Sequence, residues 1–292
     1  MRVAIYGRKV TKATVDYFLE LINILENYRW EVVLEEDLKA QLVTKAGISD
    51  KFAIFNTHKD LQNDFDLAIS MGGDGTFMKT VSFIRNSGVP IMGINTGRLG
   101  FLANISKEEI EMTLERVRQK EYEFQLRSLL RVHTDEDYYG EDNFALNELT
   151  LHKKDTSSMI TVHASLDNKY LNSYWADGLI VATPTGSTAY SLSCGGPIIT
   201  PGCQVHILTP IAPHNLNVRP MVVPDHLPIS LEVEGRDRTF LLSLDGNSKS
   251  IRQGEVIVIR KAEFMINVVR FDDNNFLDTI RRKMLWGIDT RN

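Results

Sequence analysis

Residues 67–80 read Leu67-Ala68-Ile69-Ser70-Met71-Gly72-Gly73-Asp74-Gly75-Thr76-Phe77-Met78-Lys79-Thr80. An apolar run of strand character ends in a glycine cluster, and a segment of helical spacing, Phe77 to Ile84, follows. A strand that turns through glycines into a helix is the local geometry that binds phosphate in open α/β sheets. The glycines let the backbone approach an anion closely, and N–H groups at the helix start point at it. Gly72, Gly73 and Thr76 are read on this basis as a phosphate loop. There is no G-x-x-x-x-G-K-[ST] and no G-x-G-x-x-G after the first strand, so the ordinary P-loop and the dinucleotide fingerprint are both excluded. Asp74 calls for a reason, because phosphates repel a carboxylate. Two readings stand evenly. Asp74 is a general base that accepts the proton of a hydroxyl attacking a γ-phosphate, or it caps the following helix. Lys79, one turn into the helix, can screen phosphate charge; taken alone, it reads as a solvated surface lysine.

Working outward, the same alternation of strands and helices continues on both sides. Val3 to Tyr6, Glu31 to Leu34, Ala53 to Phe55 and Ile91 to Ile94 are short strand candidates. Val15, Phe18, Leu19, Ile22 and Leu25 recur at helical spacing. Ile105 to Gln119 reads as a helix, with Ser106 and Glu109 forming a capping box. Alternating strands and helices predict a parallel sheet covered on both faces, that is, a Rossmann-like α/β domain. After about Tyr122 the period changes. Ile229, Leu231 and Val233 alternate with polar residues, as do Phe240, Leu242 and Leu244. Turn signals separate such runs at Asp167-Asn168, Glu234-Gly235-Arg236 and Asp245-Gly246. This pattern predicts an all-β, sandwich-like C-terminal domain. Phe276 to Trp286 looks helical again. The expected division is residues 1–122 as an α/β nucleotide-binding domain, residues 123–271 as a β-rich domain, and residues 272–292 returning to the first.

Composition restricts the function classes. The chain has 292 residues, 43% hydrophobic and 24% charged, as expected for a globular protein rather than a disordered one. Its formal net charge of -5 argues against a nucleic-acid partner, though not against a small anion held by local cations. No apolar run approaches the roughly 18 residues that span a bilayer, so no membrane partner is expected. The start, MRVAIYGRKV, reads as a first strand rather than a signal peptide. Cys194 and Cys203 have no metal-ligand spacing and read as free thiols of a cytoplasmic protein. No histidine has metal-ligand spacing either, so no protein-held metal site is expected.

A second constellation lies at residues 174–197, YWADGLIVATPTGSTAYSLSCGGP. Asp177-Gly178 is a turn, Leu179 to Ala182 a strand, and Pro184 to Thr188 a polar bend. Thr183, Thr185, Ser187, Thr188, Tyr190, Ser191 and Ser193 crowd hydroxyls into a short span. That density suits recognition of ribose, amide and phosphate groups; an ordinary Ser/Thr turn region is the competing reading. Upstream, Asn147 and Glu148 interrupt an apolar strand. At a cleft, the amide reads a base or ribose and the carboxylate accepts two ribose hydroxyls; in solvent, both are unremarkable.

Gly72-Gly73-Asp74-Gly75-Thr76 resembles the G-G-D-G-T signature of the NAD kinase family. Diacylglycerol and sphingosine kinases and 6-phosphofructokinases carry related glycine–aspartate turns. Further blocks narrow the resemblance in order along the chain: Asn95 to Leu102, Asn147-Glu148, Asp177-Gly178 with Thr183 to Tyr190, Pro210 to His214, Arg219-Pro220 and Asp245-Gly246-Asn247. The resemblance implies transfer of the ATP γ-phosphoryl to the 2′-hydroxyl of the NAD adenosine ribose, giving NADP. It implies a divalent cation, magnesium carried by ATP, and a homodimer or homotetramer. By resemblance, Asp74 is the catalytic base, and Gly75, Asn147 and Glu148 contact the nucleotide. Asp177 and the run Thr188, Ala189, Tyr190, Ser191, Leu192 and Ser193 line the NAD site with Thr185, with Ala212 and Asn247 nearby. Lys79 stands where members of the family often have a cation. Two positions depart from the pattern: Trp175 stands where some members have a basic residue, and Asn247 replaces a glutamine. His214 reads as structural.

Two other functions fit parts of the sequence. A lipid kinase with the same glycine turn would need a membrane-facing amphipathic segment, and none is evident. A non-catalytic nucleotide-binding regulator has no use for Asp74. Thermal stabilisation by NAD, by diacylglycerol, or by nucleotide without turnover separates the three.

Overall fold

Short apolar runs, buried on both faces except at the edge strand Ala53–Phe55, form the parallel sheet of the first domain. They are β1 (Arg2–Tyr6), β2 (Glu31–Glu35), β3 (Ala53–Phe55), β4 (Leu67–Met71) and β5 (Ile91–Asn95). The computed structural model describes residues 1–62, 64–154, 158–272 and 275–286. The five strands are parallel in the order β3-β2-β1-β4-β5, and the last residues of the strand Val256–Arg270 extend the sheet parallel to β5, with Val268 opposite Ile91. The chain runs outward from β1 to β3 and then returns to the other side of β1. This makes β1 and β4 a topological switch point, where ligands bind in open α/β sheets.

Helices α1 (Val15–Asn27), α2 (Glu36–Ala46), α3 (Asp74–Ile84) and α4 (Ile110–Arg118) accompany the sheet. Phe18, Leu21, Ile22 and Leu25 give α1 one buried stripe. The capping box is present: Ser106 and Glu109 make both reciprocal bonds. The box opens a 3-10 turn at Lys107–Glu109, however, and the α-helix begins only at Ile110, so the helix is shorter than the expected 105–119. The C-terminal helix Phe276–Met284 is capped by Asn275, whose side chain accepts from the Asp278 N–H at 2.9 Å. It returns to the first domain, where Lys283 Nζ lies 4.6 Å from the Phe101 ring centroid. Residues 273, 274 and 287–292 of that returning segment lie outside the described residues.

The first compact domain comprises Met1–Leu126 and the chain from Ile266 onward; the second is Arg127–Met265. The second is a β-sandwich. One antiparallel sheet orders the strands Met221–Pro224, Val205–Ile211, Gly178–Ala182, Glu148–Lys153, Thr239–Leu244 and Asn247–Arg252. The other contains Lys169–Ala176, Ile160–Leu166, Ile229–Glu234 and the start of Val256–Arg270. Leu149, Leu151, Val181, Phe240 and Leu242 of the first sheet share one core with Val162, Leu231, Val233, Ile257 and Ile259 of the second. Each such fully buried side chain contributes roughly 1.5–3 kcal/mol. The predicted two-residue turns have positive φ at both positions: 50° and 60° at Asp167-Asn168, 47° and 88° at Asp245-Gly246. That is the twist a two-residue hairpin requires.

Candidate active site

In the first domain the glycine turn connects the carboxyl end of β4 to α3, at the switch point. Gly73 is the helix N-cap residue, and Asp74 is the first helical residue, with its side chain directed elsewhere. The Asp74 carboxylate accepts three consecutive backbone N–H groups: Phe101 at 2.9 Å on Oδ2, and Leu102 and Ala103 at 3.0 Å each on Oδ1. The loop that supplies them follows β5 and is shaped by buried Asn95. The Asn95 amide donates to the carbonyls of Arg98 (2.5 Å) and Ala103 (3.2 Å), and its oxygen accepts from Gly97 N–H at 2.6 Å. Gly100 has to be glycine, since a Cβ there would collide with the Asp74 carboxylate. Gly72 is similar, packed against Thr76. Gly73 and Gly75 differ: a Cβ on either meets nothing. The turn thus has a packed side and an open side. Lys79 is exposed, with its ammonium 5.0 Å from the Phe83 ring centroid further along α3.

The glycines give a direct comparison. Gly75→Ala is expected to leave the melting temperature unchanged or slightly raised, because alanine favours a helix by roughly 0.5–1 kcal/mol over glycine. Its KM for ATP should rise at least about tenfold if the open side receives phosphate. Gly100→Ala should instead lower both stability and turnover. Steady-state kinetics with thermal melts decides; an unchanged KM in Gly75→Ala would remove phosphate from that face.

The second domain repeats the device. Half-buried Asp245, in the hairpin turn, accepts three consecutive N–H groups: Leu146 at 2.7 Å, Asn147 at 2.9 Å and Glu148 at 3.0 Å. Its own N–H returns to the Glu148 carbonyl at 3.1 Å. Asn147 is buried, and its carbonyl accepts from Thr183 N–H at 2.9 Å. Glu148 is half-buried, with Oε2 enclosed and without a hydrogen-bond partner. Burial, followed by the charge of Asp245, raises its carboxyl to about 8, while the Tyr190 backbone N–H pulls the other way.

The hydroxyl run divides in two. Thr183 bonds to the Leu146 carbonyl at 2.5 Å, Ser187 to the Pro184 carbonyl at 2.7 Å, and Ser191 to the Thr209 hydroxyl at 2.8 Å. Thr185 is buried and accepts from Arg127 at 3.4 Å. These four hold the loop together. Thr188, Ala189 and Leu192 are half-buried, and Tyr190 and Ser193 are exposed. Asp177 stands where the chain passes from one sheet to the other, and its carboxylate pairs with Lys153 at 2.6 Å. Ala212 is exposed and held at φ 45°, a strained conformation for alanine. Asn247 is exposed at the start of its strand; its carbonyl accepts from the Tyr139 hydroxyl at 3.3 Å. His214 stacks on Trp175, ring centroids 4.2 Å apart.

The profile of the ATP-NAD kinase N-terminal domain matches residues 3–122, and that of the C-terminal domain matches residues 146–271. The chain belongs to the NAD kinase family. An NAD kinase of Flavobacterium psychrophilum is 46% identical over the whole of both chains, and one of Bacteroides fragilis is 43% identical, also over both whole chains. Among solved structures, a yeast NADH kinase complexed with NADH has a TM-score of 0.87 at 25% identity, covering 100% of this chain and 89% of that one. An NAD kinase from Archaeoglobus fulgidus in complex with ATP has a TM-score of 0.73 at 28% identity, covering 98% and 99%. Within this NAD kinase fold, the sequence reading missed that backbone N–H groups of Phe101 to Ala103 hold Asp74, that Lys153 pairs with Asp177, and that Asp245 clamps Asn147-Glu148. Asp245-Gly246 carried a hairpin signal, which placed the turn but not the clamp, and Asn95 to Leu102 carried the family resemblance without showing the contact with Asp74; Lys153 had no local signal.

Proposed function

We propose that this chain transfers the γ-phosphoryl group of ATP to the 2′-hydroxyl of the adenosine ribose of NAD, giving NADP and ADP. The observation that carries the reading is Asp74: a carboxylate held by three backbone N–H groups at the carboxyl end of β4, beside a glycine turn with one open side. The 2′-oxygen attacks the γ-phosphorus, the bond to the β–γ bridging oxygen breaks, ADP leaves with that electron pair, and the hydroxyl proton passes to Asp74. Backbone N–H groups of Gly73 and Gly75 cradle phosphate; those of Gly72 and Thr76, also read from the sequence as part of the phosphate loop, donate instead to the Ile94 and Gly73 carbonyls at 2.9 Å each and shape the turn. In the β-rich domain, Asn147, Glu148 and Asp177 bind NAD through its hydroxyl and amide groups. Thr185, Thr188, Ala189, Tyr190, Ser191, Leu192, Ser193, Ala212 and Asn247 shape that surface. Lys79 supplies positive charge beyond the first turn of α3.

Among the described residues, no group of three or more His, Cys, Asp or Glu side chains is arranged to hold a metal ion. Magnesium is assigned to the ATP phosphates, and no step is routed through a protein-bound ion. No described helix is long and apolar enough to cross a membrane, and both cysteines are free. A cytoplasmic location is proposed from the family resemblance, and a homodimer or homotetramer is the proposed assembly, to be read by size-exclusion chromatography with light scattering.

The test is a coupled assay for NADP formation from purified protein, NAD, ATP and magnesium, with diacylglycerol as a parallel acceptor. NADP without lipid phosphorylation is the expected result. Absence of NADP with either ATP or polyphosphate as donor would overturn the reading.

A further inference from the structure

Arg270 ends the strand that runs parallel to β5, so it lies at the same edge of the sheet as the glycine turn and the loop after β5. Its Nε donates to Gln125 Oε1 at 3.2 Å, and Nη2 donates to the Phe101 carbonyl at 3.4 Å. Phe101 is the residue whose N–H holds Asp74 Oδ2. One residue is thus gripped at its carbonyl by a guanidinium and at its nitrogen by the carboxylate. Its ring is covered by Lys283 of the C-terminal helix. Burial pulls Arg270 down to about 10, and the negative charge of Asp74 works against that pull. A half-buried cation is costly unless its charge is answered, and Asp74 is the carboxylate that answers it.

We propose that Arg270 is a positioning residue for phosphoryl transfer, fixing the Phe101 residue that aims the Asp74 carboxylate and balancing that carboxylate's charge next to phosphate. The proposal rests on the role given to Asp74 above. Arginine suits the task because its planar fork reaches an amide oxygen and a peptide carbonyl at once while keeping its charge. The side chain also borders a groove of about 370 Å³ lined by Glu123, Gln125, Phe271 and Phe276, which gives a small cation access from solvent.

The experiment compares the full-length enzyme with Asp74→Asn, Arg270→Ala, Arg270→Lys and the double variant Asp74→Asn/Arg270→Ala in the NADP-forming assay. Arg270→Ala is expected to lower kcat about 10- to 100-fold, the scale of a small misplacement of a reacting group. KM for NAD and for ATP should stay within about threefold, because ground-state binding is untouched. Arg270→Lys should fall between wild type and Arg270→Ala, and millimolar guanidinium ion should restore part of the activity of Arg270→Ala. The double variant should match Asp74→Asn, since a residue acting through Asp74 has nothing left to position. Wild-type kcat in Arg270→Ala would overturn the proposal, and so would losses that multiply in the double variant. A fall in kcat that tracks a fall in melting temperature, unrelieved by lysine or guanidinium, would also overturn it. If Arg270→Ala fails to fold, Arg270→Lys alone carries the comparison, with and without Asp74→Asn. Full activity in Asp74→Asn marks failure of the Asp74 role itself; an inactive Asp74→Asn beside an active Arg270→Ala marks failure of this proposal alone.

Discussion

Asp74→Asn is expected to lower kcat for NADP formation by about a hundred- to ten-thousand-fold while NAD still binds. Asparagine keeps the size of the side chain and one acceptor oxygen. That oxygen can still receive Leu102 and Ala103, whose N–H groups both lie 3.0 Å from Oδ1. The amide nitrogen then faces the Phe101 N–H, donor against donor, where Oδ2 had accepted at 2.9 Å. One unsatisfied donor costs roughly 1–3 kcal/mol, so a modest loss of stability should accompany the kinetic loss. Both oxygens of the carboxylate are held by backbone N–H groups, which fixes where the proton acceptor stands. In a loose phosphoryl-transfer transition state the attacking hydroxyl gives up its proton late, so position counts for more than basicity. Single-turnover kinetics with a parallel NAD-binding titration decides. Turnover close to wild type would end the proton-acceptor role, and joint loss of NAD binding and turnover would make Asp74 a structural residue.

How much of this was legible in the sequence depended on the range of the interaction. β4 and the turn after it were legible because strand, glycines and helix follow one another without a gap. The hairpins at Asp167-Asn168 and Asp245-Gly246 were legible because two-residue loops demand residues that tolerate positive φ. Helix α2 was not legible: only Leu38 and Leu42 are buried on it, too narrow a stripe to register as a period. The α4 boundary was misplaced because a capping box marks where a helical turn begins without distinguishing a 3-10 turn from an α-turn. Inside the site, the seven crowded hydroxyls could not be sorted. Whether Ser191 faces a ligand or Thr209 depends on a strand eighteen residues away. The same limit hid the partners of Asp74, twenty-seven to twenty-nine residues on, and Arg270, further still. The helix-cap reading of Asp74 was reasonable locally; a loop that sequence spacing does not bring near takes the carboxylate instead.

Glu148→Gln is expected to stabilise the free protein at alkaline pH and to weaken NAD binding there. Burial and Asp245 raise the Glu148 carboxyl from 4.5 to about 8. The folded chain therefore keeps a proton that the unfolded chain releases. Where the native state binds more protons than the unfolded state, stability falls as pH rises. For Glu148 that window runs from near 4.5, its ordinary value, to about 8, above which the penalty is constant. At roughly 1.4 kcal/mol per pH unit the shift sets a ceiling of about 5 kcal/mol, and relaxation around the half-buried side chain will return less. Glutamine carries no charge to bury, so the two proteins should melt together near pH 5 and diverge in favour of the variant by pH 9. The enclosed Oε2, which lacks a partner in the free protein, gives the cost its purpose. Ribose hydroxyls donated to Glu148 would satisfy that oxygen and favour the ionised form. NAD affinity of the wild type should then strengthen as pH rises toward 8, while that of Glu148→Gln stays low and flat. Thermal melts and NAD titrations at pH 5, 7 and 9 test both halves. A variant less stable than wild type at pH 9 would show that the carboxylate is answered by charge within the fold. Wild-type NAD affinity that does not change with pH would mean that the substrate never meets this side chain.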